Sequence, residues 1–221
     1  MIALIAQITP HAVVVALSPM PIAALILLLL SNKARVNSIL FLLGWVTAIF
    51  LNVGIFAFLS NTMQHADHKD SVVISSYIHA VLGIILLLFA YKQWRNRLKP
   101  GETPITPKWM ETIETLSPLM AFVIAFSLIT INAKNTIIDI TTGVIIGQTT
   151  NTFSQTIIAL CIFTFMASIT IAIPVFAFLL LGTRLNTTLQ KTKTWFIYNS
   201  ATILFVLFLV LGFDLLCKAF I

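Results

Sequence analysis

The sequence predicts an all-α integral membrane protein: six transmembrane helices arranged as two inverted three-helix repeats, with the first and fourth spans interrupted near the midplane. Three observations predict it. Of the 221 residues, 59% are hydrophobic and 9% charged, with a mean hydropathy of +1.02, whereas soluble domains carry about 25% charged residues. The apolar residues collect in runs long enough to cross a bilayer. Two of those runs carry polar or helix-breaking residues at corresponding depths.

A helix needs about 20 apolar residues to cross a hydrocarbon core of ~30 Å. Runs at residues 8–30, 37–60, 72–91, 116–147, 154–182 and 195–218 meet that length. The N-terminal stretch MIALIAQITPHAVVVALSPMP lacks a basic start and a small-residue cleavage site, so the first span is expected to be kept. Between the runs, SNKARVN, NTMQHADHKDS, KQWRNRLKPGETPITPKW, GQTTNTF and GTRLNTTLQKTKT read as loops, punctuated by Gly, Pro, Asn and charge.

The loops also orient the chain. The first, third and fifth hold Lys33 and Arg35; Lys92, Arg95, Arg97, Lys99 and Lys108; and Arg184, Lys191 and Lys193. The second holds only Lys69, beside Asp67 and Asp70, and the fourth holds no basic residue. Positive charge stays cytoplasmic, so a multi-pass protein of the cytoplasmic membrane with both termini outside is expected. The net charge of +6 belongs to these short loops, which argues against nucleic acid as a partner. Cys161 and Cys217 fall in apolar runs and read as small buried hydrophobes rather than a disulfide.

The fourth run, ITINAKNTIIDITTG at its centre, is 32 residues long, too long for one plain span at about 1.5 Å per residue. Its polar stretch is the place to break. The first run has a matching weak point in ALSPMPIAAL, where Pro19 and Pro21 each lack a backbone donor. Residues 18–21 lie ten residues before Ser31, and 132–135 thirteen before Gln148, so each interruption is roughly 15–20 Å from its exit surface. Three spans separate the two, so the runs point in opposite directions. That pairing is the sequence pointer to an inverted-repeat transporter with a central site. The division is 1–98 and 110–221, joined by a basic, proline-bearing cytoplasmic linker at 99–109.

On a helix at about 100° per residue, Asn132, Asn135, Asp139 and Thr142 share one quarter of the circumference, while Lys134 falls nearly opposite. An intramembrane lysine costs about 2.5–3.5 kcal/mol on insertion scales, so a backbone break that turns Lys134 inward is favoured. Two roles stand open for Lys134 and Asp139: a buried ion pair fastening two segments, or contact with a substrate headgroup or a proton. The candidate substrate-binding set is Ser18, Pro19, Pro21, Asn132, Lys134, Asn135, Asp139 and Thr142. Pro174 reads as a bend in the fifth span, Asn52 and Asn199 as interhelical hydrogen-bonding groups, and His11 and His79 as structural. Gly143 and Gly147 form a G-x-x-x-G spacing that permits close helix approach and offers a face for a homodimer. No metal-site spacing, nucleotide loop or nucleophile–base set is present, so neither a cofactor nor an enzymatic activity is expected.

With SPMP at 18–21 and NAKN at 132–135 located, the sequence resembles the LysE superfamily of small six-span exporters. The wording ALSPMPIAALILLLLSNKARVNSILFLLGW is similar to the branch of peptidoglycolipid addressing proteins, called GAP. Ala133 stands where the family pattern has proline. The resemblance implies a transporter or flippase that exports an amphipathic glycolipid, lipopeptide or related envelope molecule, with membrane lipids and an amphipathic or anionic substrate as partners. Other branches export amino acids or ions. The alternative from a different class is a non-transporting scaffold for an envelope-synthesis complex.

Overall fold

The structure is a computed structural model, and it describes residues 1–64, 70–97 and 116–220. The linker 99–109 and the loop around Lys69 lie outside the described residues, as does the side chain of His79. Among the described residues the chain is helical without strands: α1 (Ile2–Ala16), α2 (Pro19–Leu29), α3 (Ala34–Gln64), α4 (Asp70–Arg95), α5 (Pro118–Thr130), α6 (Ala133–Thr149), α7 (Phe153–Leu181), a 3-10 turn (Gly182–Leu185) and α8 (Asn186–Phe220).

Among the described residues, three stretches are long and apolar enough to cross a membrane: Ala34–Thr62, Phe153–Leu181 and Ile197–Cys217. If each bent pair counts as one span, α1 with α2 and α5 with α6 bring the number to five. The bends are 52° between α1 and α2 and 69° between α5 and α6. The outer surface suits the same solvent. Leu180 is 85% exposed and Phe165 73%, with Ile173, Phe176 and Val210 also exposed. In water such a belt would be a large aggregation-prone patch; in lipid it has no cost.

Packing brings distant segments together. α3 lies against α5, α6 and α7, α1 against α7 and α6, and α4 against α8. Close approach is made by small residues, since in lipid the packing itself holds helices together. Gly143 sits on α3, where an added Cβ would come within 2.8 Å of the Val53 carbonyl oxygen, and at Gly147 it would overlap the Ala57 carbonyl oxygen. Gly83 of α4 and Gly212 of α8 meet likewise. The Gly143–Gly147 face therefore packs against α3 inside the chain.

Three expectations are revised. The segment GTRLNTTLQKTKT is not a loop: Gly182, with φ of 58°, ends α7, and after one 3-10 turn α8 begins at Asn186. No Gly or Pro follows Gly182 in that segment to stop helix growth. Cys161 and Cys217 are free, as expected, but exposed on the lipid-compatible surface rather than buried. Asn199 donates to the carbonyl of Trp195 on its own helix, 2.9 Å away, not to a neighbouring helix. α7 runs through Pro174 without interruption.

Candidate functional site

The two breaks share one backbone geometry. Ser18, between α1 and α2, has φ −70° and ψ 111°, and Asn132, between α5 and α6, has φ −75° and ψ 111°. Each is an N-cap in extended conformation that restarts the helix at the next residue. In α2, Pro19 occupies the first helical position and Pro21 the third, where backbone donors have no intrahelical acceptor, so neither proline removes a helix bond. The prolines start a helix instead of kinking one.

The second break has Ala133 where the first has Pro19. Asn132 caps the new helix: its side-chain oxygen accepts from the Lys134 backbone N–H at 3.1 Å, which satisfies an orphan donor at the start of α6. Thr136 Oγ1 donates to the carbonyls of Thr130 and Asn132, each at 3.2 Å, and Asn135 Nδ2 donates to the Leu128 carbonyl at 3.0 Å. Polar side chains after the break thus cover carbonyls left open before it.

The end of α1 shows the same accounting across the molecule. Its last carbonyls, which the ending helix leaves short of backbone donors, must be satisfied inside the membrane. Val13 O accepts from the Leu17 N–H at 2.9 Å. Val14 O accepts from Lys134 Nζ at 3.1 Å. Val15 O accepts from the Ser18 hydroxyl at 2.7 Å. Ala16 O accepts a short hydrogen bond from Thr170 Oγ1 of α7. Lys134 Nζ also donates to Ser18 Oγ in a short contact. The break turns Lys134 inward, as the sequence required, and leaves it only 7% exposed.

Placement at a helix C-terminus makes this burial tolerable. The carbonyl end of α1 carries roughly half a negative charge, and hydrogen bonds to a charged group contribute about 1.5–3 kcal/mol each. Two of them offset an insertion cost of about 2.5–3.5 kcal/mol. An ammonium has three donors, and two are used here.

Asp139 is held elsewhere. It is fully buried, and Asn52 of α3 donates to its Oδ2 at 3.2 Å while also reaching Thr130 Oγ1 at 3.3 Å. Its Oδ1 has no hydrogen-bond partner. No ion pair within 4 Å links Lys134 to Asp139, so the two charges interact through space but are anchored separately. Of the sequence-derived set, Ser18 and Lys134 touch, Asn132 caps the Lys134 backbone, and Pro19 and Pro21 are buried at the start of α2. Thr142 is buried with an unpartnered hydroxyl, as are Thr164 and Ser168, one turn apart on α7. Among the described residues no group of three or more His, Cys, Asp or Glu side chains is placed to hold a metal ion.

Sequence reading missed Thr170 and Val14. Thr170 is one threonine among many, and Val14 contributes only a backbone oxygen, so neither carries a sequence signal. Asn52 was read as an interhelical group, and it is one, but its partner Asp139 was not foreseen.

Comparison with known proteins adds one match. The family model described as "Sap, sulfolipid-1-addressing protein" covers residues 8–220, nearly the whole chain and both breaks. The chain belongs to this family. No curated protein and no solved structure matches it. In this Sap-family chain the match and the long apolar helices agree on a membrane protein tied to the addressing of a lipid.

Proposed function

We propose that this Sap-family chain exports an anionic amphipathic lipid, a sulfated glycolipid or related envelope molecule, across the cytoplasmic membrane as a transporter or flippase. Lys134 carries the reading. It is a buried ammonium at the meeting point of two broken spans, bound only by neutral oxygens, with one donor left for an incoming sulfate or phosphate oxygen. The family name points to a lipid whose headgroup has that chemistry. The start of α6, a half-helix N-terminus with its positive dipole end, adds to the attraction.

In this reading α4, 26 residues long, supplies a sixth span beside the five. The chain is then two inverted halves, 1–98 and 110–221, with both termini outside, as in the LysE superfamily. The matched geometry of Ser18 and Asn132 supports that symmetry. Ser18, Pro19, Pro21, Asn132, Lys134, Asn135, Asp139 and Thr142 make the central site, and no catalytic step is involved.

The test is mass spectrometry of lipids that co-purify with the wild type, Lys134→Ala and Lys134→Arg. The export reading expects an anionic lipid retained by the wild type, lost in Lys134→Ala and partly kept in Lys134→Arg. The same lipids in all three would remove Lys134 from the site and move the scaffold reading ahead.

A further inference from the structure

The site at the two breaks leaves a second feature unused. Where α4 runs along α8, Leu87, Ala90, Tyr91 and Trp94 form one stripe, at spacings of three and four residues, facing Phe205 and Leu209. These six line a groove of about 230 Å³. Its walls are apolar except for the Tyr91 hydroxyl and the Trp94 indole N–H. Trp94 packs on Phe205 with ring centroids 4.8 Å apart, so the two rings form one stretch of the wall.

That stretch of wall is also basic. Arg97 stacks on Trp94, its guanidinium carbon 3.6 Å from the ring centroid, and its Nη1 donates to the Trp94 carbonyl at 2.8 Å. Arg97 therefore sits on Trp94, one of the residues lining the groove, with its side chain exposed. Lys92 and Arg95, five and two residues before it in the chain, are exposed as well. Among the described residues no carboxylate is recorded in an ion pair with any of the three.

We propose that this groove is a binding site for an anionic phospholipid of the surrounding bilayer: one acyl chain lies against Leu87, Ala90, Phe205 and Leu209, and the phosphate is held by Arg97 with Arg95 and Lys92. Charge complementarity selects the occupant. A hydrocarbon groove alone would accept any lipid chain, but a guanidinium stacked on its Trp94 wall, with two more cations within five residues, favours a headgroup of net negative charge. Basic residues at the end of a membrane helix also lie at headgroup depth, where the aromatic side chains Tyr91 and Trp94 belong. The site is separate from Lys134; it rests on the proposed reading of α4 as a span, not on export.

Trp94 reports on its own groove. The full chain would be placed in phosphatidylcholine vesicles containing either dibrominated phosphatidylglycerol or dibrominated phosphatidylcholine at equal mole fraction, and tryptophan quenching compared. The expected result is several-fold stronger quenching per molecule by the brominated phosphatidylglycerol, an excess that disappears in Trp94→Phe. The excess should fall to the phosphatidylcholine level in a Lys92→Gln, Arg95→Gln, Arg97→Gln variant, whose exposed positions do not threaten folding, and persist in Lys134→Ala. Equal quenching by the two lipids, or an excess that survives the triple substitution, would overturn the proposal. Protection of Trp94 from both lipids would also overturn it, in favour of a cover supplied by the protein itself.

Discussion

The ammonium of Lys134 donates to the Val14 carbonyl oxygen at 3.1 Å, so a charge at the start of one half-helix closes the open end of another. The contact joins positions 120 residues apart. It makes the two broken spans one unit, and it explains how an intramembrane lysine is held without a carboxylate in contact.

Lys134→Ala removes the partner of a buried carbonyl, which costs about 1–3 kcal/mol. The same change removes an ammonium that costs about as much to bury. Stability in detergent, read as the thermal midpoint, should therefore change little, while lipid retention or export drops at least about tenfold. A large fall in the midpoint with export intact would make the lysine a structural tie alone.

Asn132 caps α6 and Ala133 follows it where Pro19 follows Ser18, so the two adjacent positions should respond in opposite ways. Asn132→Ala loses an N-cap bond and is expected to cost about 0.5–2 kcal/mol. Ala133→Pro, at the first position of α6, is expected to be neutral or stabilising by about 0.4–1 kcal/mol. Denaturant or thermal unfolding of the two variants in one detergent checks both signs.

Glycines along α3 and α6 separate into two classes. An added methyl at Gly147 meets the Ala57 backbone carbonyl, which has no room to yield, so Gly147→Ala should destabilise by about 1–3 kcal/mol. At Gly54 the nearest atom is Leu160 Cδ1 at 3.6 Å, an ordinary contact, and Gly54→Ala should be tolerated. Retention of a monodisperse elution peak on heating would separate them.

Asn52→Leu would leave Asp139 buried without its hydrogen-bond donor. The expected cost is about 1–3 kcal/mol, and Asp139→Asn in the same background should recover part of it by removing the unpaired charge. A double-mutant cycle on thermal midpoints measures the coupling; additivity of the two changes would mean that Asn52 and Asp139 act independently.

Much of the architecture was legible because hydrocarbon imposes strict rules. Run length exposed the helices, Pro19 and Pro21 marked the first break, and the cost of burying a lysine required a second break near Lys134. What escaped the sequence was partnership. Nothing in the spacing says that the carbonyl of Ala16 is covered by Thr170, or that Asp139 answers to Asn52 rather than to Lys134, because these pairings depend on which helices lie side by side. The Gly143–Gly147 motif was read as a face for close packing, yet its partner inside the chain, α3, could not be named. The early start of α8 was missed because Thr, Lys and Gln suit a helix end as well as a loop.

The carbonyls at the end of α1 have a consequence for biosynthesis. Ala16 O waits for a donor made 154 residues further along, and Val14 O, which in its own span meets only the Ser18 hydroxyl at 3.5 Å, for the Lys134 ammonium made 120 residues further along. At about 5–20 residues per second, the first span therefore spends roughly 6 to 30 seconds at the ribosome with its end open. Lipid cannot satisfy a bare carbonyl, so water or the insertion machinery must shelter that end until the later helices arrive. The first half made alone has no source for either donor, and the two halves expressed as separate chains should accumulate only when both are made together.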